Sequence, residues 1–124
     1  MKKNEKNFHK KNKKYLVIIT TTNTRENAEK ILKVLLEKRL VACAQILKTN
    51  SFYWWKNKIE NSKEYLIILK TKKEFYDIVE KTIKENHNYE IPEIISLDIK
   101  KGYDKYLSWI DETLSIKNKR KSKK

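Results

Sequence analysis

The sequence has little cysteine, glycine, proline or histidine: one, one, one and two residues among 124. One cysteine excludes an internal disulfide framework and a zinc site built from cysteines of one chain. One glycine excludes the glycine-rich loops GxGxxG and GxxxxGKS/T that bind phosphates. No apolar run approaches the roughly 18 residues of a membrane-spanning helix, and no apolar region follows the basic N-terminus as in a secretory signal. We therefore expect no membrane partner and a reducing, cytoplasmic location.

Positive charge is concentrated at the two ends of the chain. The formal net charge is +14, and residues 1–14 and 115–124 each contribute +6, which leaves +2 for residues 15–114. Neither terminal segment has the periodic apolar positions needed to offset the entropy of ordering, so both are expected to be disordered basic tails. The segment between them is long enough for one domain with one core.

The apolar pattern predicts two βαβ units followed by a helix. The β-branched run 15–22 is typical of a central strand, and apolar positions recur at helical spacing from 28 to 40. The predicted strands cover 15–22, 41–55, 59–71 and 94–99, and the predicted helices cover 25–39, 73–86 and about 106–114. This order indicates an α+β fold of the ferredoxin-like βαββαβ plan, with an antiparallel sheet, both main helices on one face and a C-terminal helix.

Smaller signals refine the predicted elements. Asn23 and Thr24 are candidate N-caps of the first helix, and Thr71 with Glu74 forms a candidate capping box before the second. In the last strand, alternation places Ile95, Leu97 and Ile99 on one face.

The segment around Asn57 is predicted to be an unusually long hairpin. Its strands would have about 12–15 residues, roughly twice the common length, and Asn57 tolerates the positive φ of a tight turn. The hairpin also carries the run Phe52–Trp55. Because a long aromatic hairpin on a small domain promotes aggregation unless it is covered, we expect a symmetric oligomer whose subunits pair strands edge to edge.

Several short motifs occur together in order and spacing. They are Ala42-Cys43, Ser51-x-Tyr53-x-Trp55, Ile59-Glu60, Lys70-Thr71, His87-x-Tyr89, Pro92-Glu93-Ile94 and Tyr106-Leu107-x-Trp109. Over residues 15–114 the chain resembles the CutA family of divalent-cation tolerance proteins. The resemblance implies a ferredoxin-like subunit in a homotrimer held by strand pairing between subunits, as in PII signalling proteins. It also implies an association with copper and other divalent ions.

The chain departs from the family pattern at four positions. Asn57 stands where the hairpin turn usually has glycine, and Asn88 replaces the proline of a His-Pro-Tyr motif, which is expected to free the local backbone. Thr20 and Asn86 stand where some members carry a cysteine and a second histidine. Cysteine and histidine are common metal ligands, and this chain lacks both at these two positions. We therefore expect any metal to be weakly bound.

Three residues are the candidate metal ligands. Glu64 matches an acidic position of the family's hairpin strand and His87 matches its His-x-Tyr motif, while Cys43 offers a thiolate. Copper(II) favours imidazole and carboxylate and copper(I) favours thiolate, so Cu²⁺ or another divalent cation is the expected cofactor. The competing interpretations are a purely hydrogen-bonded His87 at the strand entry and a buried, apolar Cys43.

The aromatic residues of the motifs are candidates for a trimer interface or an intersubunit pocket, and the alternative is core packing. They are Tyr53, Trp55, Trp109 and Tyr89.

No nucleophile–base pattern or paired metal carboxylates support catalysis, so no enzyme is predicted. Residues 64–71 lack the aromatic signature of an RNA-recognition module, so nucleic acid is not an expected partner. The predicted function is a trimeric protein of divalent-metal response or tolerance. The alternative is a PII-like small-molecule sensor or interaction scaffold with incidental metal binding.

Overall fold

The computed structural model describes the backbone of residues 15–123 and the side chains of residues 15–115. The elements are β1 (Tyr15–Thr22), α1 (Arg25–Glu37), β2 (Cys43–Trp55), β3 (Lys58–Lys72), a 3₁₀ turn (Lys73–Phe75), α2 (Tyr76–Asn86), β4 (Ile94–Ile99) and α3 (Asp104–Lys123). The predicted βαββαβ order with a final helix is confirmed. No helix in this part of the chain is long and apolar enough to cross a membrane.

The four strands form one antiparallel sheet in the order β2-β3-β1-β4. Residues directly opposite each other share a face, so the register of Ile18 against Leu69 and of Ile46 against Ile67 defines one side of the sheet. Helices α1 and α2 cover this side and form the main core with it. The buried members of that core are Leu16, Ile18, Ala28, Ile31, Leu35, Leu40, Val41, Ile67, Leu69, Val79 and Ile83.

The opposite side of the sheet, here called the open face, leaves large apolar side chains exposed in the single chain. The register places Ile95 opposite Ile19 and Leu97 opposite Val17, which confirms that Ile95, Leu97 and Ile99 share a face. That face is not the one that α1 and α2 cover, and the Leu97 side chain is 55% exposed. The alternation of β4 therefore predicted its two faces correctly but could not say which one meets the helices.

Helix α3 packs at one end of the sheet. Ile110 and Leu114 are buried against Tyr15 and Ala42, and the Tyr15 hydroxyl donates to Asp111 Oδ2 at 2.6 Å. The helix extends to Lys123, whereas the sequence analysis ended it near 114 and assigned 115–124 to a disordered tail. No glycine or proline follows Gly102, so no residue type there stops a helix. The predicted N-terminal tail, 1–14, lies outside the described residues.

The structure differs from the predictions at two helix termini, the C-terminus of α1 and the proposed capping box at Thr71. Thr24, one of the two candidates, is the N-cap of α1, and its hydroxyl accepts the Asn27 amide hydrogen at 3.1 Å. The helix ends at Glu37 because Arg39 adopts a φ of 55° and reverses the chain. The predicted Thr71 capping box is wrong: the buried Thr71 hydroxyl donates instead to the Leu40 carbonyl at 2.7 Å.

Candidate functional site

The Glu64 carboxylate lies almost buried on the open face. Residue 64 pairs with Thr49 across the β2–β3 ladder, and only 7% of it is exposed. A buried carboxylate is costly unless it accepts hydrogen bonds. The Tyr89 hydroxyl supplies one, donating to Glu64 Oε2 at 2.6 Å.

The His87 ring is held by backbone groups on both nitrogens. It follows α2 directly, and its Nε2 lies 2.8 Å from the Thr21 carbonyl oxygen, while its Nδ1 accepts the Tyr89 amide hydrogen at 3.0 Å. Because a carbonyl only accepts, this pattern assigns the proton to Nε2 of a neutral imidazole. Burial lowers the pKa of His87, partly opposed by the Thr21 carbonyl and the charge of Glu64. His87 is therefore a neutral ring at neutral pH.

Glu64, His87 and Tyr89 form one group, here called the Glu64 cluster. The rings of His87 and Tyr89 lie 5.0 Å apart between centroids. Burial, and then the hydrogen bond and charge of Glu64, raise the pKa of Tyr89, so its hydroxyl keeps the proton that it donates. Tyr53, whose hydroxyl lies 2.6 Å from Ser62 Oγ, also interacts electrostatically with Tyr89. The structure thus brings together two of the three predicted metal ligands and two of the predicted aromatic residues.

Cys43 is not part of this cluster. It lies opposite Lys70, six positions along β3 from Glu64, and six residues of strand span about 20 Å. Cys43 is a half-buried free thiol rather than the fully buried residue of the alternative interpretation, because it lies on the open face at the first position of β2. Its neighbour is Tyr106, whose pKa is raised by burial and then by the Cys43 side chain.

The Glu64 cluster offers a divalent ion one carboxylate and one imidazole. Among the residues whose side chains are described, no three or more His, Cys, Asp or Glu residues are arranged to hold a metal. Binding through His87 also requires the ring to give up its contact with Thr21 or with the Tyr89 amide. The donor set therefore fits a weakly held ion and lacks the ligands of a closed structural site.

The remaining aromatic candidates are spread over the molecule. Trp55 is 59% exposed near the hairpin tip, whereas Trp109 lies on α3 and stacks on Tyr106 with 5.6 Å between ring centroids. Tyr106 approaches Cys43 at the other end of β2, so one chain does not bring Trp109 and Trp55 into a common pocket. An intersubunit pocket remains a prediction.

Asn27 supports the site and was not among the residues predicted from the sequence. It lies in the first turn of α1, is 5% exposed, and bonds to the loop that carries His87. The available signal was a polar residue directly before Ala28 in the apolar stripe of this helix.

Comparisons with known proteins agree with this architecture. The profile of the family described as CutA1 divalent ion tolerance protein matches residues 16–113. The divalent-cation tolerance protein CutA of Pyrococcus horikoshii is 41% identical over 97 residues, which cover 78% of this chain and 95% of that protein. The solved structure of the periplasmic divalent cation tolerance protein CutA of Archaeoglobus fulgidus has a TM-score of 0.79 at 41% identity, covering 81% of this chain and 98% of that one. CutA1 of Oryza sativa has a TM-score of 0.78 at 33% identity, over 81% and 93% of the two chains. This chain belongs to the CutA family of divalent-cation tolerance proteins.

Proposed function

We propose that this protein acts as a homotrimer in the response to divalent cations, binding or sensing copper weakly through the Glu64 cluster. The observation that supports it best is the nearly buried Glu64 carboxylate beside a neutral His87 ring. These are the two ligand types that Cu²⁺ favours. The proposal assigns the protein no catalytic step.

The exposed apolar surface supports a trimer. Leu47, Ile95 and Leu97 leave large apolar areas on the open face, and Trp55 on the hairpin is 59% exposed. Exposed apolar surface of this kind is typical of an interface, and β2 and β4 are the edge strands of the sheet in the single chain. Identical copies in closed symmetry would cover both features.

A second candidate function is a PII-like small-molecule sensor or interaction scaffold. The observation that favours it is that backbone groups engage both nitrogens of His87. In this case the Glu64 cluster would bind a polar ligand group through hydrogen bonds, and any metal would be incidental.

The cytoplasm is the proposed location, although the relative from Archaeoglobus fulgidus is described as periplasmic. A half-buried free thiol such as Cys43 persists most easily where thiols stay reduced. Immunodetection in fractionated cells of the source organism tests this proposal.

Native mass spectrometry with increasing Cu²⁺ tests the metal proposal on the full chain. The background carries His9→Ala, which removes the one other imidazole. We expect a trimer that takes up three ions in defined steps, and loss of this uptake in Glu64→Gln and in His87→Gln. Cys43→Ala, outside the cluster, should bind as the background protein does.

The outcomes separate the two candidate functions. A trimer without stoichiometric uptake refutes the copper proposal and favours the small-molecule sensor or scaffold. A persistent monomer refutes the trimer and, with it, the proposed mode of action.

A further inference from the structure

The loop that carries His87 and Tyr89 is tied to the start of α1 by side-chain amides. Asn27 is 5% exposed, and its Oδ1 accepts both the Thr22 hydroxyl at 2.5 Å and the Asn88 amide hydrogen at 3.2 Å. Its Nδ2 donates to the Asn86 carbonyl at 2.8 Å. One buried amide therefore contacts the end of β1 and both sides of His87.

The exposed side chain of Asn88 adds another hydrogen bond between the same loop and the residues before α1. Its Nδ2 donates to Asn23 Oδ1 at 3.0 Å. The His-Pro-Tyr pattern of the resemblance has proline at this position, and proline has no amide hydrogen to donate to Asn27. The expectation that Asn88 frees the backbone is therefore wrong: hydrogen bonds of this chain restrain the loop where a proline ring would otherwise do so.

The restraint matters because the Glu64 cluster depends on the loop. Tyr89 reaches Glu64 with its hydroxyl and His87 with its amide, so both contacts require the backbone of residues 87–89 to keep one position. A buried polar group whose hydrogen bonds are all satisfied favours one arrangement over its competitors.

We propose that Asn27 and Asn88 are positioning residues that hold His87 and Tyr89 against Glu64. The inference rests on the proposed function, which gives the cluster its role. The geometry that it describes is nevertheless measurable without any metal.

Amide hydrogen exchange of the metal-free full chain tests the proposal. In Asn27→Ala the amide of Tyr89 should exchange at least about fivefold faster relative to the core amide of Ile18, since the loss of even one of the two hydrogen bonds from Asn27 to the loop corresponds to about that factor. A residue that only stabilised the fold would accelerate Ile18 at least as much as Tyr89, because core amides exchange through global unfolding. The control Asn50→Ala changes an exposed asparagine on β2 and should leave the ratio unchanged.

A folded Asn27→Ala protein with an unchanged or lower Tyr89-to-Ile18 ratio overturns the proposal. If that variant does not fold, Asn88→Ala decides, because it removes only the exposed tie to Asn23 and keeps the amide hydrogen of residue 88. A ratio raised at least about twofold supports positioning, and an unchanged ratio overturns it. Failure of the wild-type protein to bind copper would refute the proposed function and leave this exchange result standing.

Discussion

At the residue scale, the Glu64 cluster is defined by which atoms donate and which accept. Glu64 accepts from Tyr89, Tyr89 donates its amide hydrogen to His87, and His87 donates to Thr21. Each member thus has a partner inside the cluster or on β1. Removing one donor should leave an adjacent buried acceptor unsatisfied, which costs more than the bond itself contributes.

Tyr89→Phe tests this dependence. The substitution removes the donor to the nearly buried Glu64 carboxylate, so the free energy of unfolding should fall by about 1–3 kcal/mol at neutral pH. Urea denaturation monitored by circular dichroism measures the change. Tyr103→Phe, at a far more exposed tyrosine, is the matched control and should change stability by less than about 0.5 kcal/mol.

The difference in the free energy of unfolding between the wild-type protein and Tyr89→Phe should also depend on pH. The folded protein holds the Tyr89 proton above the ordinary pKa of 10.0, whereas the unfolded chain releases it there. The stabilisation is therefore fully present below pH 10 and is lost as the pH rises beyond it. The difference between the wild-type protein and Tyr89→Phe should shrink in alkali, and a difference that grew would contradict the assignment of Tyr89 as donor.

At the scale of the element, the β2–β3 hairpin is the most unusual feature. Its strands have 13 and 15 residues, as the sequence analysis predicted. The turn places Lys56 and Asn57 at φ values of 49° and 65°, the two consecutive positive values of a type I′ turn. Asn57 was predicted in this role, whereas Lys56 has no side-chain chemistry that favours it.

Lys56→Gly should therefore stabilise the protein by about 0.5–1 kcal/mol, because glycine adopts this conformation without steric cost, although it loses more entropy on folding. Thermal unfolding should show a higher Tm. The control Lys58→Gly changes a lysine two residues away that lies in extended β3, and there the Tm should fall. A lower Tm for Lys56→Gly would mean that the turn is not strained.

At the scale of the whole molecule, the central question is what covers the open face and the hairpin. Helix α3 covers Tyr15 and Ile99 at one end of the open face, whereas the side chains of Leu97 and Trp55 are 55% and 59% exposed in one chain. Apolar surface that a single subunit leaves exposed favours association with further copies of the chain. A trimer would have a mass of about 45 kDa, three times the 15.0 kDa of the chain.

Trp55→Ala should weaken this assembly, because a large aromatic side chain at the proposed interface is lost. Sedimentation measured over a dilution series should show dissociation at a concentration at least about tenfold higher than for the wild-type protein. Trp54→Ala is the matched control: its side chain projects to the other side of β2 and lies outside the Ser51-x-Tyr53-x-Trp55 motif. If the Trp55→Ala protein stays trimeric on dilution, Trp55 does not belong to the interface.

The sequence by itself determined the order of elements, the long hairpin and the faces of the strands. These follow from local periodicity and from turn residues such as Asn57, whose signals lie within a few positions along the chain. It also identified Glu64, His87 and Tyr89 through motif resemblance. Their meeting required the fold, because these residues are up to 25 positions apart and their contacts depend on how β3 and the loop after α2 are placed.

Only the tertiary structure decided which face of the sheet stays open, that Cys43 lies far from Glu64, and that Thr71 bonds to Leu40 instead of capping a helix. The same holds for Asn27, whose local sequence indicates an ordinary position in the first helical turn. A side chain's hydrogen-bond partners are set by which elements pack together. A polar side chain such as that of Thr71 can bond to a local partner or to one far away in the sequence, and the spacing of residues does not show which it chooses. The packing of the elements decides, because a buried polar group must find a partner within its reach.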